Sequence, residues 1–239
     1  MQYDLRIGGL DFRVQGLSEQ FYNDCALPYI CEAQDGASSL IYTQEKLEAD
    51  RLCSPGLDDF SLEAGALLEQ AVRHCLRYDR MIIHGACIAY QGKGILFLAP
   101  SGTGKSTHVS LWKKYLADEV TIVNGDKPMI EFGQATTIHG TPWRGKEGWG
   151  SNISVPLQHI VMLKRGSENE IRTLSQADAR LALFYNTFLA YDPDCTKQIL
   201  FNTCKLAANI PVSVLYCDIS EAAFRCCFDH IFHGGVAVK

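Results

Sequence analysis

Apolar and polar positions alternate near the start of the chain, and helical spacing takes over later. Leu5, Ile7, Phe12 and Val14 alternate with polar residues about Gly8-Gly9, which predicts a hairpin. Further short strands are predicted near 27–32 and 39–43, and Pro55-Gly56 closes this β-rich region, 1–60. Over 61–78, Leu62, Leu68, Val72, Cys75 and Leu76 recur at helical spacing. Glu63 and Glu69 lie early and Arg73 and Arg77 late, as the helix dipole favours, with Ser61 or Asp59 as the cap. Met81 to Tyr90 reads as one strand, and Gln91 to Gly94 as a tight turn. Ile95 to Leu98 is an unbroken apolar run, the pattern of a central buried strand. A helix from Lys105 to Leu116 and a strand from Val120 to Val123 follow. The stretch 124–156, rich in glycine, proline and tryptophan, reads as short strands and functional loops. Then come a strand at Ile160–Leu163, a helix from the Ser175–Asp178 capping box to near Ala190, and a second helix after Asp192-Pro193-Asp194 to near Ala208. A strand at Val212–Tyr216 and a helix at Ile219–Ile231 end the pattern. The expected fold class is mixed α/β in a single unit over 1–239.

Composition narrows the class of protein. The chain has 239 residues, 47% of them hydrophobic and 21% charged, which excludes a disordered or collagen-like chain. The net charge of −5 lacks the basic excess of a nucleic-acid binder. Ten cysteines form no C-x-x-C pair, so neither a zinc ribbon nor a thioredoxin motif is expected. The charged start lacks the apolar core of a signal peptide, and no apolar run reaches the length of a membrane span. These features predict a cytoplasmic protein with reduced thiols and no membrane partner. Cys226, Cys227, His230 and His233 sit on what reads as a packing helix, so no metal site is expected there.

The sharpest chemical signal is Ala99-Pro100-Ser101-Gly102-Thr103-Gly104-Lys105-Ser106-Thr107, between a buried strand and a helix. That is the context of a P-loop. Gly102 and Gly104 let the backbone turn its N–H groups toward phosphate oxygens, and the helix N-terminus adds positive partial charge. Ser101 to Thr107 are the expected nucleotide-binding residues, with Lys105 on the terminal phosphates and Ser106 on Mg²⁺. Ala99 stands where such loops usually carry their first glycine. A P-loop metal needs a partner carboxylate at the end of a neighbouring strand, and Asp126 in Asn124-Gly125-Asp126 is placed to supply it.

His84-Gly85-Ala86, the loop 99–107 and Asn124-Gly125-Asp126 together resemble the catalytic core of HPr serine kinases. The loop is also similar to that of phosphoenolpyruvate carboxykinases, which share the fold. The likeness is strongest to short HPr-kinase-like proteins encoded beside peptide-modifying enzymes, some of which phosphorylate lasso-peptide precursors; Gly140 to Asn152 also resembles that group. The resemblance covers about 80–165, the expected nucleotide-binding core, and leaves 166–239 as C-terminal helices and a strand. It implies an HPr kinase C-terminal-domain fold and ATP- and Mg²⁺-dependent phosphorylation of a hydroxyl, most simply a seryl group of a peptide or protein. His84 would contact a phosphate or orient the acidic group, and Asp126 would be the second of two adjacent aspartates. HPr kinases form oligomers, so a homo-oligomer is also implied. The first aspartate of the pair is replaced by Gly125, and the HPr-recognition domain is missing, so HPr itself is not expected as substrate.

The loop 140–152 carries the remaining candidates. Trp143 and Trp149 could cover a nucleotide or plug the core. Arg144 or Lys146 would stabilise a transferring phosphoryl group, and Glu147 could replace the missing acid. The expected activity is thus a kinase with catalytic Asp126, His84, Arg144 and Lys146 and metal ligands Ser106 and Asp126. Its partners are a nucleotide and a peptide, protein or small-molecule hydroxyl acceptor. The alternative is a nucleotide-binding accessory or sensor without transfer activity, suggested by Gly125.

Overall fold

The computed structural model describes residues 1–187 and 192–234. In order, the chain forms β1 (Gln2–Ile7), β2 (Leu10–Gln15), a short helical turn α1 (Glu19–Phe21), β3 (Ser38–Ile41), α2 (Gln44–Cys53) and α3 (Asp59–Leu76). Next come β4 (Arg80–Ile82), β5 (Ala86–Tyr90), β6 (Lys93–Leu98), α4 (Lys105–Leu116), β7 (Val120–Asn124), β8 (Met129–Phe132) and β9 (Thr136–His139). The rest is β10 (Ser154–Arg165), β11 (Glu170–Thr173), α5 (Gln176–Phe184), α6 (Pro193–Asn209), β12 (Val212–Cys217) and α7 (Glu221–Phe232). The mixed α/β expectation holds at that level.

The N-terminal region departs from the β-rich expectation. β1 and β2 pair across Gly8-Gly9, and β3 joins β2 in parallel. No strand forms over 27–32. Leu27–Tyr29 is a tight helical turn with Pro28 near its start, and only Ile30 bridges back to Leu5. α2 escapes periodicity because Leu47 is its single buried residue; the Thr43 side chain caps it by accepting from the Lys46 N–H. α3 is capped by Asp58, whose carboxylate accepts from the Ser61 N–H at 2.8 Å, rather than by Ser61 or Asp59. α5 stops at Phe184, short of the expected end near Ala190, and 188–191 lie outside the described residues.

β6 lies at the centre of a nine-stranded sheet, with antiparallel β5 on one side and parallel β10 on the other. β5 also carries β7 in antiparallel register. β10 pairs in parallel with β12, which pairs with β11. The first residues of β10, Ser154–Pro156, pair instead with β9, leading on to β8 and β4, so the sheet curls about this strand. Alternation along the strands makes two cores. Cys87, Leu96, Leu98, Ile160 and Met162 face α3 and the N-terminal region, whereas Ile88, Ile95, Phe97 and Val161 face α4 and α7. Trp112 of α4 is fully buried and packs on Phe97 at 5.8 Å and edge-on to Phe224 of α7 at 5.3 Å, fixing α4 against the sheet.

The expected single strand Met81–Tyr90 is two. β4 pairs with β8, β5 pairs with β6 and β7, and Ile83-His84-Gly85 spans the break. A Cβ at Gly85 would stand 2.8 Å from both Leu96 Cδ1 and Leu98 Cδ2, so only glycine fits this crossing. This break has a functional consequence. β5 runs opposite to β6 and β7, so its beginning shares a sheet edge with their ends. His84, the loop after β6 and the turn after β7 therefore meet.

Candidate functional site

The loop between β6 and α4 follows the strand–loop–helix order that the sequence predicts. Gly102 and Gly104 have φ of +75° and +116°, a region that side chains disfavour. No atom beyond the chain neighbours lies within 4 Å of a Cβ built on either, so the loop is open at both glycines. Gly104 is the N-cap of α4 and offers no side-chain cap, leaving the first N–H groups of the helix without that partner. Lys105 Nζ turns back to 3.3 Å from the Ala99 carbonyl and 3.1 Å from His84 Nε2. Burial lowers the Lys105 pKa, and Asp126 and Glu147 act to raise it. Arg165, at the end of β10, donates to the Gly102 carbonyl at 2.6 Å and steadies the loop from outside.

Asp126 is positioned by a residue whose role the sequence reading missed. Asn124 is fully buried, and its Oδ1 accepts from the N–H groups of Asp126 at 2.8 Å and Lys127 at 2.7 Å. Its Nδ2 donates to the Thr141 carbonyl at 2.9 Å, tying the turn to the next loop. Asn before Gly is a turn signal, and that was the available clue. The Asp126 carboxylate sits 3.2 Å from His84 Nε2 and 2.7 Å from Lys127 Nζ. Burial pushes its pKa up, but the His84 ring and the Lys127 ammonium outweigh this and hold it at about 2. His84 Nε2 has one position for a hydrogen, so its tautomer decides whether it donates to Asp126 or accepts from Lys105.

The loop 142–150 divides the other candidates. Trp143 takes the core reading: it is buried, and its Nε1 donates to the Ala64 carbonyl at 2.8 Å. Trp149 is half-buried against the α4–α7 core. Arg144 lies toward the N-terminal region, where its charge opposes the burial that raises the pKa values of Cys25 and Tyr29; its Nε is buried and unpartnered. Lys146 projects outward with its side chain 90% exposed. The structure thus gathers Lys105, Ser106, His84 and Asp126 at one edge and turns Arg144 and Lys146 away from it. Glu147 arrives there instead, accepting from Ser106 Oγ at 2.8 Å.

A cleft of about 440 Å³ adjoins the loop, lined by Gly102–Gly104, Thr107, His108, Leu111, Leu163–Gly166 and Cys217–Ile219. It lies at the ends of β10 and β12, and its size suits a small-molecule site. His108 is buried in its wall; burial lowers its pKa to about 4, and its Nε2 accepts from Trp112 Nε1 at 3.3 Å. All ten cysteines are free thiols. Among the described residues no three His, Cys, Asp or Glu side chains gather as a metal cluster, and no helix is long and apolar enough to cross a membrane.

A family model described as SynChlorMet cassette protein ScmC matches residues 58–233. The chain belongs to that family, which corrects the assignment to HPr serine kinases and phosphoenolpyruvate carboxykinases drawn from the motifs. No curated protein matches the chain. Among solved structures, the HPr(Ser) kinase/phosphatase from Coxiella burnetii is 10% identical, over 62% of this chain and 95% of that one, with a TM-score of 0.34. A likeness that remote carries no argument about the site.

Proposed function

We propose that this member of the ScmC family binds ATP with Mg²⁺ at the edge formed by Lys105, Ser106 and Asp126 and transfers the γ-phosphate to a hydroxyl. A seryl hydroxyl of a peptide or protein is the acceptor proposed. The observation that carries the reading is the convergence of three chain segments, which bring Lys105, Asp126 and His84 together. The Lys105 ammonium and the Asp126 carboxylate both lie against His84, and the open glycine loop and Ser106 flank Lys105 in the chain. The hydroxyl and carboxylate oxygens are the hard donors that Mg²⁺ prefers, so the side chains fit the ion. When bound, Mg²⁺ would neutralise charge on the phosphates. Phosphoryl transfer asks the protein mainly for positioning and charge stabilisation. The first-turn N–H groups of α4 and Lys105 hold the phosphates, Ser106 and Asp126 hold the metal, and His84 orients Asp126. Arg144 and Lys146 would serve the phosphoryl group only after the loop 142–150 moves.

One observation favours a second reading, a nucleotide-binding sensor without transfer. Asp126, with a pKa of about 2 and two cationic or proton-bearing neighbours, is a weak base. Transfer from γ-labelled ATP with Mg²⁺ to a pool of serine-containing peptides separates the two. A labelled product that disappears in Lys105→Ala establishes the kinase. ATP binding with neither product nor hydrolysis supports the sensor. No binding of ATP or GTP overturns both.

A further inference from the structure

Position 125 bears no side chain for a reason that lies in the neighbouring loop. A Cβ there would stand 3.0 Å from the Arg144 carbonyl oxygen and 3.1 Å from that of Trp149. The Gly125 N–H donates to the Trp149 carbonyl at 2.8 Å, and the Ser151 N–H to that of Val123 at 3.1 Å. Gly145 lies equally close: its Cβ would come within 2.8 Å of Asp126 Cβ, and its φ is +72°. The loop backbone thus occupies the space of a side chain at 125 and rests on Asp126. From that anchored frame it extends Glu147 across to Ser106.

Glu147 is mostly buried, with 22% of its side chain exposed. Its Oε1 accepts from Ser106 Oγ at 2.8 Å, and Lys146 Nζ is a distant 4.0 Å away. Both Asp126 and Glu147 act to raise the Lys105 pKa against its burial. The close hydrogen bond of Glu147 is to a hydroxyl rather than to a cation, so a metal ion joining it would offset the cost of its burial.

Resting on the reading of this edge as a metal–nucleotide site, we propose that Glu147 is the second carboxylate of the Mg²⁺ site, delivered by the 142–150 loop to the ion held by Ser106 and Asp126. Mg²⁺ takes few carboxylates and completes its shell with phosphate and water, so the pair suffices without a third protein acid. The loop's packing over Gly125 then has a function: it replaces a carboxylate on the strand-end turn with one arriving from the opposite side.

The test is Mn²⁺ titration of the full chain, read by electron paramagnetic resonance with a non-hydrolysable ATP analogue. ATP affinity is measured in parallel with a chelator present. Glu147→Gln keeps the shape and a hydrogen bond to Ser106, and unchanged thermal unfolding checks its fold. The expected result is Mn²⁺ binding weakened about tenfold or more, with no loss of metal-free ATP affinity, because the charge removed repels the phosphates when no ion is bound. Mn²⁺ affinity within about twofold of wild type in Glu147→Gln, alongside a clear loss in Asp126→Asn, overturns the inference and leaves the metal–nucleotide reading standing. No effect of Lys105→Ala, Asp126→Asn or Glu147→Gln on either ligand overturns the reading and the inference together.

Discussion

Two loops meet over Ser106, and they are built in opposite ways. The loop 99–107 is a backbone device. Space is open at both its glycines, and the chemistry proposed for it resides in N–H groups and one lysine. The loop 142–150 is a side-chain and packing device. Trp143 anchors it in the core, Gly145 presses on Asp126, and hydrogen bonds from Gly125 and Ser151 stitch it to β7. The first takes its shape from the positive φ that glycine tolerates and can be read from glycine spacing. The second is set by contacts with distant chain, and which of its charges faces the site follows from that packing.

Substitutions can break this contrast. The largest effect is expected for Lys105→Ala, with phosphate transfer falling about 100-fold or more and little change in stability, checked with labelled ATP and thermal unfolding. Trp143→Ala should do the reverse. Removing a buried indole should cost about 3–5 kcal/mol in urea unfolding. Nucleotide affinity of the folded protein should stay within about threefold, because the indole touches the core rather than the phosphate loop. Nucleotide affinity falling with Trp143 as steeply as with Lys105 would mean that the two loops are one device. Asn124→Ala lies between them. It leaves the N–H groups of Asp126 and Lys127 without their acceptor, so a loss of about 1–3 kcal/mol is expected together with weaker Mn²⁺ binding.

Acid should act on the same edge by two routes. Asp126 titrates at about 2 in the fold against an ordinary 3.8, so its contribution is complete above about pH 4 and lost as the pH falls toward 2. His108 titrates at about 4 against 6.5, so the unfolded chain takes up its proton first and stability falls as the pH drops from 6.5 to 4. Urea midpoints across this range should show an upper loss absent from His108→Gln and a lower one absent from Asp126→Asn. The smallest effect is expected for Lys146→Ala, within about twofold in transfer rate, because its side chain is 90% exposed.

The glycine loop 99–107, α4, the buried strand before it and the turn at Asp126 were legible because local rules fix them. Glycine spacing, an apolar run and a turn signal each act within a few residues. His84 was legible as a residue, but its place was not. A continuous apolar run over 81–90 hides the break at Gly85, which depends on Leu96 and Leu98 from another strand. The positioning role of Asn124 and the place of Glu147, a candidate by residue type alone, were obscured for the same reason, since they depend on Thr141 and Ser106, distant in sequence. α2 was missed because a helix that buries one leucine carries almost no periodic signal.

The Asn124-Gly125 peptide also sets how this protein ages. In a loose chain, the Gly125 nitrogen attacks the Asn124 amide carbon, ammonia leaves, and the resulting succinimide opens to aspartate or isoaspartate. In the fold that nitrogen is held by the Trp149 carbonyl at 2.8 Å, and the amide is buried and bound to Thr141. Native packing therefore protects the bond on which the Asp126 turn depends. Molecules that linger unfolded should refold with a chemically altered turn, detectable as isoaspartate at 124 by peptide mapping after incubation in urea and absent after the same time without it.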